Sequence, residues 1–353
     1  MDLSTRVTQL LNIDHPIIQA PMAGGITTPE LVAAVSNAGG LGSLGAGYMS
    51  PDAVRKAISD VRTLTDRPFA VNLFVPEQPD AKIETIRRVN GLMEPYRAEL
   101  GIDAPKEVGP YAPSFAEQLE AVVEARVPVF SFTFGVPEER HISSLKEAGI
   151  ATIGTATTVH EALVLEKAGV DIVTAQGSEA GGHRGTFLGD FADAEIGTFS
   201  LVPQLADALR VPVISSGGVA DGRGLAAALA LGAEAVQMGT AFLTCEESGA
   251  HPDYKKAVLE APADGTMVTR VFSGKPARAV KNRFLREMEE HETEVPAYPV
   301  QNAWTKDIRD AAKEQSRPEF MSLWAGQSAG LSRSMPAAEV VGRVVAGAQA
   351  VSR

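Results

Sequence analysis

The segment whose residues most clearly suggest catalysis is a glycine-rich loop at residues 176–187, which reads QGSEAGGHRGTF. It places His183 among four glycines. An imidazole can accept or donate a proton near neutral pH, and glycines let the backbone wrap closely around a ligand. The loop follows a predicted strand, at the face where barrel enzymes place their catalytic residues. His183 is therefore the candidate catalytic residue, although a lone histidine can also be structural.

The other five histidines give weaker signals. His15 precedes the first predicted strand, His141 and His160 lie on predicted helices, and His251 and His291 lie in a long segment near the C-terminus. None has the His-x-x-x-His or His-x-His spacing of metal ligands, so we expect no metal site. No serine lies in the Gly-x-Ser-x-Gly turn that carries the nucleophile of many hydrolases, so the sequence gives no support for a serine hydrolase.

Two further glycine loops follow predicted strands later in the chain. Residues 215–222 read SSGGVADG and contain Gly217 and Gly218, and residues 237–241 read QMGTA. Glycines directly after parallel strands let backbone N–H groups approach an anion, and the N-terminus of the next helix adds a favourable dipole. Such a pair of loops is the usual phosphate site of (β/α)8 barrels. The pattern predicts a phosphorylated ligand, with simple tight turns as the alternative.

A flat platform is indicated near the N-terminus. Residues 19–25 read QAPMAGG and end the first predicted strand with small residues. A planar ring system could lie on such a backbone without side-chain collision. Asn72 lies near the end of the third predicted strand and is either a ring-binding amide or a turn former.

These loops need a scaffold, and the chain alternates short apolar runs with amphipathic helical segments, as βαβ units do. The eight predicted strands are Pro16–Ala20, Leu41–Leu44, Phe69–Phe74, Val127–Thr133, Ala151–Gly154, Asp171–Ala175, Val211–Ser215 and Ala235–Met238. The predicted helices are Pro29–Asn37, Pro51–Arg62, Ser114–Ala125, Glu138–Glu147, Val159–Ala168, Leu201–Leu209, Gly222–Leu231 and a last one near Ala337–Ala350. Eight such units with right-handed crossovers close into a barrel, so we predict an α/β fold, the (β/α)8 TIM barrel.

Two long insertions interrupt this regular spacing. One spans residues 75–113, after the third strand, and the other spans residues 244–335, after the eighth. Both follow strands and therefore belong to the C-terminal face of the barrel, where barrel active sites are built. We predict that they pack together as a smaller helical domain, called the cap below, over a barrel formed by residues 1–74, 114–243 and 336–353.

Composition and charge indicate which partners and which cellular location to expect. The chain has 353 residues, 44% hydrophobic content and a net charge of −12. Because it lacks a block of basic residues, we expect no nucleic-acid partner. The single cysteine, Cys245, suits a reducing cytoplasm, and no segment has the apolar length of a membrane span or the pattern of a signal peptide. We therefore expect a cytoplasmic protein with small-molecule partners, whose oligomeric state the sequence leaves open.

Taken together, the loops resemble those of the nitronate monooxygenase family, class I, formerly called 2-nitropropane dioxygenases. The resemblance rests on QAPMAG from residue 19, GGLGSLG from residue 39, GSEAGGHRG from residue 177, SSGG from residue 215 and QMGT from residue 237. It covers nearly the whole chain, with the motifs in the family's order. The AGGHRG motif is shared with flavin barrels of the enoyl-reductase and NADH:quinone reductase type, so it identifies a superfamily more firmly than a substrate.

The resemblance implies FMN as the cofactor. Around the flavin ring and ribityl chain it implies Pro21, Met22, Ala23, Asn72, Gln176, Gly181 and Gly218, and near the phosphate it implies Gln237, Met238, Gly239 and Thr240. On the cap side of the substrate pocket it implies Tyr111, Tyr254, Tyr298 and Lys306, and the alternative is that these aromatic residues only pack in the cap interface. Trp304 stands where another tyrosine is expected from the family.

The implied reaction is the oxidation of alkyl nitronates, such as propionate 3-nitronate, with O2 to carbonyl compounds and nitrite. His183 would face the flavin and the substrate, holding the anion in its charged form or removing the α-proton of a nitroalkane in its neutral form. The alternative is an NAD(P)H-dependent quinone or enoyl reductase on the same flavin barrel. The Gly-x-Gly-x-x-Gly match at residues 40–45 lies on a predicted strand instead of following it, so it is not a dinucleotide fingerprint.

Overall fold

The structure is a computed structural model that describes residues 3–76, 82–105 and 109–351. Its strands, in chain order, are β1 (Ile17–Gln19), β2 (Gly42–Gly45), β3 (Phe69–Phe74), β4 (Val129–Thr133), β5 (Ala151–Ala156), β6 (Ile172–Gln176), β7 (Gly182–His183), β8 (Val213–Ser216), β9 (Ala235–Met238), β10 (Thr266–Thr269) and β11 (Ala277–Val280). Eight of them, β1 to β6 with β8 and β9, form one parallel sheet. The other three form a small antiparallel sheet.

The parallel sheet curls back on itself. Its strands are neighbours in the order β1, β9, β8, β6, β5, β4, β3, β2. Ile18 forms a parallel bridge with Leu41, which directly precedes β2, and the N–H of Gln19 donates to the Leu41 carbonyl at 2.9 Å. The first and last strands of the sheet therefore meet, and the predicted (β/α)8 barrel is confirmed.

Helices follow the strands in the expected alternation. They are α1 (Arg6–Leu11), α2 (Pro29–Asn37), α3 (Pro51–Leu64), α4 (Ile83–Leu100), α5 (Phe115–Glu124), α6 (Glu139–Glu147), α7 (Val159–Ala168), α8 (Thr198–Ala208), α9 (Gly222–Ala230), α10 (Thr240–Leu243), α11 (Pro252–Leu259), α12 (Arg283–Met288), α13 (Val300–Trp304), α14 (Lys306–Glu314) and α15 (Ala337–Val351). Several begin at a side-chain cap, since Thr28, Ser50 and Ser114 each accept the backbone N–H of the residue three positions later.

The observed bounds follow the predicted ones closely, with small differences that have physical causes. β3, β9, α2 and α7 coincide with their predicted ranges. In contrast, α8 begins at Thr198 instead of Leu201. The carboxylate of Glu179, from the loop after β6, accepts the Thr198 N–H and so satisfies the start of this helix. That partner is distant in sequence, so local propensity does not indicate it.

Apolar side chains fill the N-terminal end of the barrel. Ile18, Leu41 and Ile214 point into an inner cluster to which α1 adds Val7 and Leu11. A larger cluster lies between the sheet and its surrounding helices. Because the N-terminal end is filled in this way, the C-terminal ends of the strands are left for ligand binding, as in other barrels.

The two insertions pack on one another. Helix α4, from the first, shares an apolar cluster with α11, α12 and α14 from the second. Tyr96 of α4 packs against Phe284 of α12 with ring centroids 4.8 Å apart. Arg97 of α4 is fully buried, and its Nε donates to Asp307 of α14 at 2.7 Å. An apolar contact and a buried ion pair thus both join the two insertions.

The cap also contains strands that the sequence pattern did not indicate. β10 and β11 form an antiparallel pair, and β11 pairs in turn with β7, where Ala277 lies opposite His183. This small sheet connects the cap to the candidate catalytic loop. The division into two domains at the boundaries given above remains a prediction, and residues 77–81 and 106–108 of the first insertion lie outside the described residues.

Across the described ranges, no helix combines the length and apolar character that crossing a lipid bilayer requires. The same residues contain no group of three or more His, Cys, Asp or Glu side chains placed to hold a metal ion.

Candidate active site

A large cavity opens at the C-terminal ends of the barrel strands. Its volume is about 1280 Å³, enough for a cofactor together with a small substrate, since single-ligand pockets span roughly 300–1,000 Å³. The barrel side is formed by residues at the ends of β3, β4, β6, β8 and β9, including Asn72, Thr133, Gln176, Ser216 and Gln237. The cap side is formed largely by α14 and its surroundings.

Most of the residues singled out from the sequence line this cavity. They are Pro21, Met22, Ala23, Asn72, Gln176, Gly181, His183, Gly217, Gly218, Gln237, Gly239 and Thr240 on the barrel side, and Tyr111, Tyr254 and Lys306 on the cap side. The side chain of Met238 instead packs in the outer core layer of the barrel and is 1% exposed. Side chains alternate along a strand, so Gln237 faces the cavity while Met238 faces the helices. Tyr298 is buried next to the cavity, against His183.

His183 lies in an aromatic enclosure. Its imidazole ring is 5.8 Å from the ring of Phe134, 5.8 Å from Tyr298 and 5.3 Å from Trp324, measured between centroids. Its Nε2 lies 2.8 Å from the Oγ of Ser273. Phe134 holds its ring there with a backbone φ of 76°, a left-handed conformation that is strained for an aromatic residue. Strain of this kind concentrates at functional sites.

The enclosure controls the charge of the imidazole. Burial lowers the pKa of His183 to about 3, and the positive charges of Lys275 and Arg309 contribute in the same direction. An imidazole that is enclosed by aromatic rings and faces two cations favours its neutral form, because the charged form loses hydration and is repelled. The imidazole is therefore neutral near pH 7.

The loop that carries His183 is held by buried hydrogen bonds. Arg184 is 1% exposed, and its guanidinium donates to the carbonyl oxygens of Gln176, Gly177 and Ala194. The side-chain amide of Gln176 donates to the His183 carbonyl at 3.0 Å and accepts the Gly185 N–H at 2.7 Å. Gln176 thus lines the cavity while fixing the backbone on both sides of Arg184. This contact shows a structural role for Gln176 in addition to the ligand contact expected from the sequence.

The two glycine loops after β8 and β9 form a concave backbone surface. Gly217 and Gly218 have φ values of 102° and 75°, which only glycine adopts readily. Within the described chain, the N–H groups of Gly218, Val219 and Thr240 donate no hydrogen bond. Unpaired N–H groups that line a cavity at the C-terminal ends of parallel strands are typical of anion-binding sites.

A cap segment closes over these loops. The N–H of Gly326 donates to the Oγ1 of Thr240 at 3.0 Å, and the Oγ of Ser328 donates to the Gly218 carbonyl at 2.9 Å. A Cβ at Gly181 would lie 2.4 Å from the Gly326 nitrogen, so this close approach requires glycine at position 181. Gly326 and Ser328 also line the cavity. Nothing in the local sequence indicated them, since they reach the site from the far end of the second insertion.

The cap residues expected from the sequence occupy three different environments. The Tyr254 hydroxyl donates to the Trp324 carbonyl at 2.5 Å, and burial raises its pKa well above the usual value. Tyr111 lines the cavity beside a proline-rich stretch. Lys306 is largely exposed at the cavity edge and forms an ion pair with Asp310. Its positive charge is therefore already balanced by the carboxylate of Asp310.

Comparison of the whole chain with known proteins identifies its family. The family model described as nitronate monooxygenase matches residues 4–347. A probable nitronate monooxygenase of Staphylococcus saprophyticus is 49% identical over 347 residues, with 98% of each chain covered. The chain belongs to the nitronate monooxygenase family.

Two solved structures extend this result from sequence to fold. Nitroalkane oxidase from Streptomyces ansochromogenes is 40% identical and superposes with a TM-score of 0.90, with 98% of each chain covered. FabK from Thermotoga maritima is 37% identical with a TM-score of 0.78, and the match covers 99% of this chain and 97% of that one. The fold of this chain is thus shared with both structures over nearly its whole length.

Several side chains of this family member reach the site without a recognisable sequence signal. Besides Phe134, Ser273 and Trp324, they are Tyr48 and Arg309, both of which line the cavity. The hydroxyl of Tyr48 is hydrogen-bonded to Tyr298. Tyr48 and Phe134 lie in loops that follow β2 and β4. Ser273, Trp324 and Arg309 come from the second insertion, and spacing along the chain carries no information about how that insertion contacts the barrel.

Proposed function

We propose that this protein is an FMN-dependent nitronate monooxygenase, which oxidises alkyl nitronates such as propionate 3-nitronate with O2 to carbonyl compounds and nitrite. One observation carries the proposal: the glycine loops after β8 and β9 and the imidazole of His183 line the same cavity. The 49% identity to a probable nitronate monooxygenase supports it. The chemistry uses small molecules, and we propose that it takes place in the cytoplasm.

The residues present fit FMN. The free N–H groups of Gly218, Val219 and Thr240 would hold its phosphate. Asn72, Gln176 and the backbone of residues 21–23 would hold the flavin ring, and Gly181 allows the cap segment to approach the loop closely. FMN would supply the redox step, in which it accepts electrons from the nitronate carbon and passes them to O2.

His183 would act as the general base when the substrate is a neutral nitroalkane. A neutral nitroalkane must lose a carbon-bound proton before oxidation, and a neutral imidazole can accept that proton. A nitronate anion bound beside the ring would raise the low pKa of His183, because a nearby negative charge favours the imidazolium. The aromatic enclosure would exclude water while the proton moves.

A direct test is to identify the cofactor and the products. The purified protein should be yellow and release FMN on denaturation, and aerobic turnover of propionate 3-nitronate should form nitrite. FAD alone, or no flavin after reconstitution, would reject the cofactor assignment. Flavin without nitrite formation from any nitronate would reject the reaction.

A second candidate function is an NAD(P)H-dependent reductase of quinones or enoyl thioesters. The AGGHRG motif that ends in Gly185 is shared with such flavin barrels, and the chain matches FabK at 37% identity over nearly its full length. Flavin reduction by NADH, measured beside reduction by a nitronate, separates the two functions.

A further inference from the structure

Arg309 is a cavity-lining cation that forms no ion pair with any residue in the described ranges. It lies on α14, and its hydrogen bonds go to neutral groups: the carbonyl and hydroxyl oxygens of Thr305 and the carbonyl and side-chain oxygens of Asn302. Its Nη1 forms no hydrogen bond in the part of the chain that the structure describes. Part of the guanidinium therefore remains available to a ligand.

The two acidic residues of this helix that line the cavity are already engaged. Asp310 forms an ion pair with Lys306 at the edge of the cavity. Asp307 accepts the Nε of buried Arg97 at 2.7 Å. These carboxylates raise the pKa of Arg309, yet burial outweighs them and the net shift is downward. Arginine nevertheless stays charged in proteins, so this side chain is a positive charge held where its hydration is poor.

Arg309 also lies close to the candidate reaction centre. It lines the same cavity as His183 and Tyr48. Burial lowers the pKa of His183 and the charge of Arg309 adds to this shift, whereas burial raises the pKa of Tyr48 and the charge of Arg309 only partly offsets it. The Tyr48 hydroxyl bonds to Tyr298, whose ring is 5.8 Å from that of His183. A substrate with its reacting carbon at His183 would therefore extend past the two tyrosines toward Arg309.

We propose that Arg309 is an anion-binding site inside the cavity, which receives a second negatively charged group of the substrate. For a nitronate substrate this group is a carboxylate near the end of the carbon chain. The inference rests on the proposed function for the identity of the substrate but not for the existence of the site. A guanidinium suits this task because its planar donors can bind a carboxylate or a phosphate oxygen pair.

The test compares two nitronates of similar shape. Propionate 3-nitronate carries the carboxylate, and the nitronate of 3-methyl-1-nitrobutane carries an isopropyl group in its place. Arg309→Gln should raise KM for the first by about 10–100-fold, the range for a hydrogen bond to a charged group, and change KM for the second by no more than about two-fold. Arg309→Lys should restore part of the affinity, and Arg286→Gln, an exposed arginine of the cap that does not line the cavity, is the matched control.

Inhibition of the unmodified protein provides a measurement that needs no variant to fold. Succinate has two carboxylates spaced like the charged groups of propionate 3-nitronate, whereas butyrate has one. We expect the inhibition constant of succinate to be at least about 10-fold lower than that of butyrate. Equal inhibition by both acids, or an equal effect of Arg309→Gln on both nitronates, would overturn the proposal.

Failure of the proposed function would give a different result. If neither nitronate reduces the flavin of the unmodified protein, the monooxygenase assignment fails, and the anion-binding site is then tested with NADPH and NADH. A selective loss of NADPH binding in Arg309→Gln would support the site with a phosphate as its ligand. An equal effect of the substitution on the binding of both nucleotides would overturn it.

Discussion

The Nε2 of His183 lies 2.8 Å from the Oγ of Ser273, and that hydroxyl lies 3.1 Å from the carbonyl oxygen of Lys275. A serine hydroxyl has one proton, and a carbonyl can only accept. If Ser273 donates to the carbonyl, the Nε2–H of His183 donates to Ser273 and the lone pair resides on Nδ1. Ser273 thus orients the imidazole and favours one tautomer.

Replacing Ser273 with alanine should therefore slow proton abstraction more than it slows electron transfer. We expect the rate of flavin reduction by a neutral nitroalkane to fall by about 2–10-fold, the value of one lost hydrogen bond, with a smaller change for the corresponding nitronate. Stopped-flow absorbance under anaerobic conditions gives both rates. Ser248→Ala removes a buried serine hydroxyl that bonds elsewhere, to the Ala250 N–H, and should leave both unchanged. A loss shared equally by the two substrates would argue against an orienting role.

Replacing His183 with asparagine should separate the two substrate forms more strongly. A general base contributes typically about 10²–10⁴-fold, and only the neutral nitroalkane needs one. The variant should therefore lose flavin reduction by the nitroalkane by about this factor and keep most of its reduction by the nitronate. His160→Asn, at an exposed position of α7, is the control. If both forms lost activity to the same extent, His183 would be a binding or structural residue.

The pKa of His183 also predicts how stability depends on pH. Because its folded pKa of about 3 lies below the ordinary value of 6.5, the unfolded chain binds this proton more readily. The resulting contribution to stability is complete above pH 6.5 and is lost as the pH falls toward 3, at up to about 1.4 kcal/mol per pH unit. Urea unfolding at several pH values should show a shallower dependence for His183→Asn than for the unmodified protein. Parallel curves would contradict the low pKa.

Whether the loop after β8 binds FMN can be tested by alanine substitution at two glycines of similar backbone conformation. Gly218 has a φ of 75° and lines the cavity, whereas Gly149 has a φ of 72° and lies outside it. Alanine at either position should cost about 1–2 kcal/mol of stability from the left-handed backbone. Only Gly218→Ala should also weaken FMN binding, measured by fluorescence titration of the apoprotein. Equal FMN affinity in both variants would show that this loop does not hold the phosphate.

The junction between the two insertions depends on a buried charge. Replacing Arg97 with leucine leaves Asp307 without its partner and should lower the free energy of unfolding by about 3–5 kcal/mol. Arg88→Leu removes an exposed pairing with Glu294 and should cost about 0–1 kcal/mol. Chemical denaturation measures both. A loss below about 1 kcal/mol for Arg97→Leu would mean that the insertions are held together by their apolar contacts alone.

The barrel could be predicted from the sequence because its signals are local. The run Phe69–Phe74 is apolar and bounded by a turn, and Pro29–Asn37 has a Thr28 cap and an apolar face, so their observed bounds equal the predicted ones. Strand β7 could not be predicted in this way. Its two residues lie in a glycine-rich loop and become a strand only by pairing with β11, more than ninety residues later.

The residues of the candidate site likewise fall into those that the sequence could place and those that it could not. Residues that follow a strand directly, such as His183 and Gly218, could be placed at the cavity from the barrel pattern. Ser273, Trp324 and Arg309 could not, because their approach depends on how the second insertion folds over the barrel. The side chain of Met238 points into the core because side chains alternate along β9, and a contact of this residue with the phosphate through its backbone stays a prediction.

The most direct test of the proposed activity is the reduction of the bound flavin without oxygen. The protein is mixed anaerobically with propionate 3-nitronate in one experiment and with NADH in another, and the flavin absorbance is followed. We predict rapid bleaching by the nitronate, reoxidation when O2 is admitted, and nitrite among the products. Rapid bleaching by NADH with none by any nitronate would contradict the monooxygenase assignment and favour the reductase.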